Sequence, residues 1–399
     1  MHRTGIVFKE KIMLQKDTLE YVIGLRRELH QYPEIGYDLP KTLALVCREL
    51  DKLEIPYTEE FGKSSIVATI NPECKGFTIG LRGDMDALPI MEDTGVSYAS
   101  KIPGQMHACG HDAHTAMLLG AAKELKAREK ELTCRVKLLF TPAEEYVEPG
   151  CEQMAENGVM DDIDCAIAAH VEPGADSGTI KLTAGDVYSN SMGFTVEFFG
   201  LSSHAAQQQR GKDAIAMAVE AYTAMEIMVA KEFEPTTPRL LNIGVIEGGK
   251  TNNIICDYCK MFGSSRTFSD EVSEKMITRI REICDGIAKM SGGEAKVTVN
   301  KFLPYVLNNK TVIAKLKESA EKVVGEDNVL PYIRTLGGED FGFLSRKKPC
   351  GIFRLGIRKD ASTGYALHTV RFNIDEQAME HGVKLFVQFV LDNMNGIEF

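Results

Sequence analysis

The stretch MHACGHDAHTAM, Met106 to Met117, puts one cysteine, three histidines and an aspartate within twelve residues, with small side chains in most of the gaps. Cys109 and His111 suit a borderline divalent cation, because a thiolate and an imidazole both bind zinc-like ions well. Gly110 between them can adopt backbone angles that other residues resist. His107 and His114 flank the pair and have two open roles: supporting the ligands, or hydrogen bonding at the helix start. Asp112 is placed to be the N-cap of the helix that follows. Three further segments carry polar groups: RGDMDALP supplies Arg82, Asp84 and Asp86, TPAEE supplies Glu144 and Glu145, and CAIAAH ends in His170. Adjacent glutamates in a turn can face different ways, so one can bind metal while the other moves a proton. Together these groups equip a site for metal-assisted hydrolysis, in which a cation acidifies water and a carboxylate carries its proton to a leaving amine. A cysteine nucleophile fits less well, since His111 lies only two residues from Cys109 and the carboxylates would have no task.

The elements that must position these groups alternate. Helical periodicity covers 18–30, 41–53 and 113–126, while SIVATI, FTIGL, CRVKLLF and CAIAAH read as strands, with a short helix near Glu152. Such alternation predicts an α/β domain with a mostly parallel sheet and helices on both faces, where ligands collect beyond the carboxyl ends of the strands. From about Ser191 to Phe302 the order becomes strand GFTVEFF, a long helix, strands LLNIGVI and NIICDYCKMF, a helix from Asp270 and strand KVTVNKF. That β-α-β-β-α-β order predicts an inserted ferredoxin-like α+β domain. Alternation then resumes, with GIFRLG as a strand and a closing helix over 375–394. The expected division is 1–190 with 304–399 as a discontinuous catalytic domain, and 191–303 as the insertion.

A chain of 399 residues has room for two such domains. Its net charge of −11, without a basic run, excludes nucleic acid as a natural partner. The most apolar helical segment, 214–230, carries Glu220 and Glu226 and is too short to span a bilayer. MHRTGIVFKEKIMLQK lacks a continuous apolar core, so neither signal peptide nor anchor is expected, and Met13 is an alternative start. Ten scattered cysteines point to reduced thiols and a cytoplasmic setting. Cys256 and Cys259 form a lone C-x-x-C in a strand-like segment, a weak signal for metal or redox chemistry.

The ordered motifs RRELHQYPEIGY, RGDMDALPI, HACGHDAHTAMLLGAA, TPAEE, AAHV, SSHAAQQQRGKDAI, GGKTNNIICD, GSSRTF, GGEDFGF and LHTVRFNIDEQAM resemble the aminoacylase and hippurate hydrolase group of dinuclear metallo-amidohydrolases, which includes the auxin-conjugate hydrolases. The resemblance implies two divalent ions per subunit, zinc or manganese, bridged by Cys109 and further held by His111, Glu145, His170 and His368. It implies Glu144 as general base and acid, and Asp86 as a support behind the ligands. Asp84 occupies the position where related peptidases have a ligating histidine. The insertion would be a lid and dimerisation domain, from which His204, often of the partner subunit, steadies the oxyanion. Asn253 and Arg266 would contact substrate, Arg266 through a carboxylate. The implied reaction is cleavage of N-acyl amino acids by a metal-bound hydroxide in a cytoplasmic homodimer. A metallo-aminopeptidase or dipeptidase is the nearer alternative, and a non-catalytic metal-binding protein on the same scaffold the remote one. The chain departs from the family pattern at Ser202, Ser203, Gln208, Gln209, Ala214 and Cys256, all in the insertion and none among the implied ligands.

Overall fold

The computed structural model describes residues 11–399, which fall into two compact units. One holds the described residues up to Val187 together with Leu307–Ile333 and Asp340–Phe399; the other holds Tyr188–Val306 and Arg334–Glu339. The short segment Arg334–Glu339, read from sequence as part of the catalytic domain, groups with the second unit. The expected absence of a leader or anchor in the first ten residues lies outside the described residues.

The first unit is built on an eight-stranded sheet. Its centre is parallel: Arg135–Thr141, Thr78–Asp84, Cys165–Asp176 and Cys350–Arg358 lie side by side in that order. Antiparallel strands flank this centre, Ile66–Ile70 on one side and Ile180–Leu182 on the other. The four central strands are nearly continuous runs of buried residues, as a sheet covered on both faces requires. The helix His111–Ala127 is buried around most of its circumference, including Met117, Leu118, Leu119, Ala121 and Leu125. Such a helix can only sit inside a core. At Gly120 it passes so close to neighbouring helices that a Cβ would lie 2.5 Å from Val22 Cγ2 and 3.0 Å from Val383 Cγ2.

The helix start corrects one expectation. Asp112 is not the N-cap; that position is Gly110, at φ 86°, and the helix already includes His111. The Asp112 carboxylate is instead buried, taking Arg26 Nε at 2.8 Å and His30 Nδ1 at 2.7 Å from the helix Thr18–Gln31. A buried cation and imidazole outcompete the local capping role for that carboxylate.

In the second unit the strands Asn190–Phe199, Arg239–Gly248, Tyr258–Thr267 and Glu294–Leu303 form one antiparallel sheet, with helices Ala214–Lys231 and Asp270–Met290 following the first and third. In space the fourth strand lies beside the first, then come the third and the second, which is the ferredoxin-like arrangement. The third strand begins at Tyr258, later than the apolar NIIC run suggested, because His204 forms an isolated bridge with Ile254 and Ile255 N–H donates to Ser203 O. Cys256 therefore precedes the strand and Cys259 lies in it, both buried.

Candidate metal centre

Three loops of the first unit and the strand Cys165–Asp176, which carries His170, deliver the donors, and each loop contains a residue in the left-handed region. Gly110, at φ 86°, turns the chain between Cys109 and His111. A side chain there would meet more than backbone resistance, since a Cβ would lie 2.5 Å from Val171 Cγ2. Ala143, at φ 57°, turns the chain after Arg135–Thr141 and is followed by Glu144 and Glu145. His368 itself is at φ 61°, and its N–H donates to Ala108 O at 2.8 Å, tying the C-terminal loop to the residue before Cys109. Left-handed angles at non-glycine residues are uncommon and concentrate at functional sites.

The donors converge in two groups that share the thiol. Ligand atoms of Cys109, His111 and His170 lie within 4.8 Å of one another, as do those of Cys109, Glu145 and His368. His111, Glu144 and Glu145 form a third group within the same span. Cys109 Sγ is 3.5 Å from His170 Nε2, and His368 Nε2 is 2.8 Å from Glu145 Oε1. Asp86 is not a member of these groups, but its Oδ1 lies 3.3 Å from His111 Nδ1, behind the ligands. Its two oxygens accept the backbone N–H groups of Glu144 at 3.0 Å and Glu145 at 3.1 Å, so it fixes the turn that presents both glutamates.

Electrostatics and hydrogen bonding both fit a cation here. His111 is buried, yet neither ring nitrogen makes an aligned hydrogen bond, and Glu145 Oε1 lacks one too despite its nearness to His368. Buried polar atoms that have charged neighbours but no aligned hydrogen bond call for an explanation, and a metal ion supplies one. Burial and then the Glu145 charge push the Cys109 thiol well up, as expected of a thiol crowded by carboxylates. Burial disfavours ionisation of Glu145, but His368 and His111 outweigh it and hold the carboxylate below its usual range. Burial and the Arg354 guanidinium keep His170 neutral, the form with a lone pair to give. Its Nδ1 donates to Val171 O at 2.8 Å, which leaves Nε2 facing Cys109.

The remaining predicted residues separate. His107 is buried with both ring nitrogens unpartnered, and burial drives its pKa down to about 3. Asp84 and His114 bond to each other. In the second unit, His204 Nδ1 accepts Ala206 N–H at 3.1 Å, and Asn253 O accepts Ala205 N–H at 3.0 Å, so these two sit together. Arg266 does not join them. It lies near the far end of Tyr258–Thr267, beside Ser191, eight residues or roughly 26 Å along the strand from Tyr258. Sequence reasoning missed Arg26 and His30, which hold the Asp112 carboxylate, and Asp340, whose carboxylate accepts Arg82 Nη2. Arg26 and His30 lie within the quoted motif RRELHQYPEIGY, and Asp340 within GGEDFGF, but nothing local shows what they hold.

Comparisons with known proteins identify relatives of the chain. The N-acetyl-L-cysteine deacetylase of Bacillus subtilis (strain 168) is 35% identical over 363 residues, covering 91% of this chain and 86% of the relative. The IAA-amino acid hydrolase ILR1-like 4 of Arabidopsis thaliana is 31% identical over 376 residues, covering 93% and 85%. Among solved structures, the Bacillus subtilis YXEP protein, described as a dinuclear metal binding peptidase from the M20 family, superposes with a TM-score of 0.80 at 28% identity, covering 94% of this chain and 98% of that one. The family profile matches residues 80–392, and the chain belongs to Peptidase family M20/M25/M40.

Proposed function

We propose that this protein is a metal-dependent amidohydrolase that cleaves the amide bond of N-acyl amino acids, using two zinc or manganese ions held by Cys109, His111, Glu145, His170 and His368. The observation that carries this reading is the Cys109 thiol common to two donor groups, beside buried His111 and Glu145 atoms with no aligned partner. The similarity to a deacetylase of N-acetyl-L-cysteine and a hydrolase of IAA-amino acids supports the substrate class.

When bound, the ions supply Lewis acidity at the carbonyl and lower the pKa of water. The chain's own residues do the rest. Glu144, beside His111 and Glu145, takes the proton of the attacking water and hands it to the departing amine. Asp86 keeps the Glu144–Glu145 turn in place through its two backbone hydrogen bonds. His204 accepts a backbone N–H at Nδ1, so the neutral ring carries its proton on Nε2 and can donate it to a developing oxyanion. Asn253 and the Arg266 fork hold the substrate, Arg266 through its carboxylate.

His204 bridges Ile254, ahead of the strand Tyr258–Thr267, while Arg266 lies near that strand's far end, and this placement supports their serving different sites, with His204 acting across a homodimer. The edge strand Arg239–Gly248 exposes Leu240, Val245 and Ile246, and the helix Ala214–Lys231 exposes Ile215, Val219, Tyr222 and Ile227, an apolar surface suited to a second copy. The cytoplasmic location rests on ten cysteines with no disulfide among them. An aminopeptidase or dipeptidase remains the second reading, favoured by the peptidase description of the solved relative. It is separated from the first by a requirement for a free amino terminus.

The test is amine release from N-acetyl, N-benzoyl and longer N-acyl amino acids and from dipeptides, by metal-free enzyme and after adding Zn2+ or Mn2+. Metal-restored cleavage of the acyl amino acids is expected, and Glu144→Gln should keep its metal while losing about 10²–10⁴-fold in kcat. Tight metal uptake with no hydrolysis of any panel member would refute the reading and revive a non-catalytic role.

A further inference from the structure

Beneath the donor groups runs a chain of hydrogen bonds through charged and polar groups of the first unit. Arg82, with no side-chain exposure, donates through Nη1 to Asp84 Oδ2 at 2.7 Å and through Nη2 to Asp340 Oδ1 at 2.5 Å. Its Nε donates to Thr141 Oγ1 at 3.0 Å, so the guanidinium is fixed in its plane. Because one nitrogen of a neutral imidazole accepts and the other donates, and the Val171 N–H occupies Nε2, the proton of His114 sits on Nδ1, at 2.6 Å from Asp84 Oδ1. The other ring nitrogen, Nε2, accepts the backbone N–H of Val171 at 2.9 Å. Thr115 Oγ1 donates to Asp84 O at 2.6 Å and fastens the helix start to the same strand end.

Val171 links the two histidines. It follows His170, it is held by His114 through its N–H, and its carbonyl accepts His170 Nδ1–H at 2.8 Å. That second bond fixes His170 as the Nδ1–H tautomer, with the Nε2 lone pair directed toward Cys109 Sγ. Asp84, His111 and His114 also come within 4.8 Å of one another, in the manner of a cation site. Both nitrogens of His114 are already committed, however, so a cation there would have to break one of these bonds.

We propose that Arg82, Asp84, His114 and Val171 form a positioning chain that sets the tautomer and orientation of His170, with His114 as the link that transmits it; this rests on His170 being a metal ligand. Groups behind a ligand commonly change metal affinity by about ten- to a hundredfold. The test compares His114→Ala, His114→Asn and His114→Gln in the full-length protein. Zn2+ affinity is read by chelator competition and the metal-free thermal midpoint is measured alongside. Gln can place Oε1 where Nε2 accepted the Val171 N–H, whereas Asn can only mimic Nδ1. Affinity should fall about ten- to a hundredfold in the Ala and Asn variants and recover largely in the Gln variant, with no matching order in the thermal midpoints. Equal affinities in all three, or losses that simply follow the midpoints, would overturn the chain. Nitrogen NMR of the metal-free wild type, assigned against His114→Ala, should show His114 as Nδ1–H; an Nε2–H ring overturns the chain whatever the metal result. Wild-type protein that binds no Zn2+ would instead refute the ligand set, leaving the tautomer to decide the chain.

Discussion

Replacing Gly110 with alanine tests the turn that sets Cys109 beside His111. At φ 86° an L-residue meets the left-handed penalty, about 1–2 kcal/mol for one position. The added Cβ would also lie 2.5 Å from Val171 Cγ2, in a core where Val171 is fully buried. Overpacking of that kind costs about 1–3 kcal/mol. The two effects have separate origins, so G110A should destabilise the first unit by about 2–5 kcal/mol. Val171→Ala removes the atom in the way but leaves the backbone strain. In that background G110A should cost only about 1–2 kcal/mol, a coupling of about 1–3 kcal/mol in a double-mutant cycle. Urea-induced unfolding of the four metal-free proteins reads these values directly. Gly24 serves as the control: it is exposed in the helix Thr18–Gln31 with nothing within 4 Å of a built Cβ, so G24A should stabilise by roughly 0.5–1 kcal/mol. A G110A protein within about 0.5 kcal/mol of wild type, or the same cost in both backgrounds, would refute the account.

Three shorter predictions follow from other sites. Arg82→Ala leaves the Asp84 and Asp340 carboxylates buried without their cation and should destabilise by about 3–5 kcal/mol in urea unfolding. Cys109→Ala should bind fewer metal ions per chain than wild type by elemental analysis, and full occupancy would reject a bridging thiolate. Burial pushes Cys134, Cys284 and Cys350 up to about 12, so a thiol reagent at pH 8 should leave them unmodified in the native protein while the half-buried Cys74 reacts; rapid labelling of all ten before unfolding would contradict this packing.

Much of the site was legible because its signals are local. Cys109, Gly110 and His111 are adjacent, and Glu144 and Glu145 follow a strand whose apolar run is unmistakable. The alternating order of elements likewise exposed both sheets. Where the sequence misled, a distant partner had overridden a local rule. Asp112 looks like a helix cap until Arg26 and His30, more than eighty residues away, claim its carboxylate. The Ile254–Ile255 pair reads as the start of a strand, but the backbone there serves the His204 turn. His368 carries no local signal at all, and only the family resemblance pointed to it; its place depends on a hydrogen bond to Ala108 and an unusual φ. The helix Lys310–Val324 is a different case. Its cap Asn309 and its buried Val312, Ile313, Leu316, Ala320 and Val323 were readable as an amphipathic pattern, yet the alternation there was not resolved into elements.

The tether between His368 and Ala108 also bears on the order in which the protein comes into being. The chain leaves the ribosome from its N-terminus, so Cys109, His111, Glu145 and His170 emerge first, followed by the whole second unit. His368 arrives nearly two hundred residues after His170. Until its loop docks on Ala108, the proposed centre would lack one of its five donors. On the proposed ligand set, a complete set of donors would exist only once the C-terminal loop has docked.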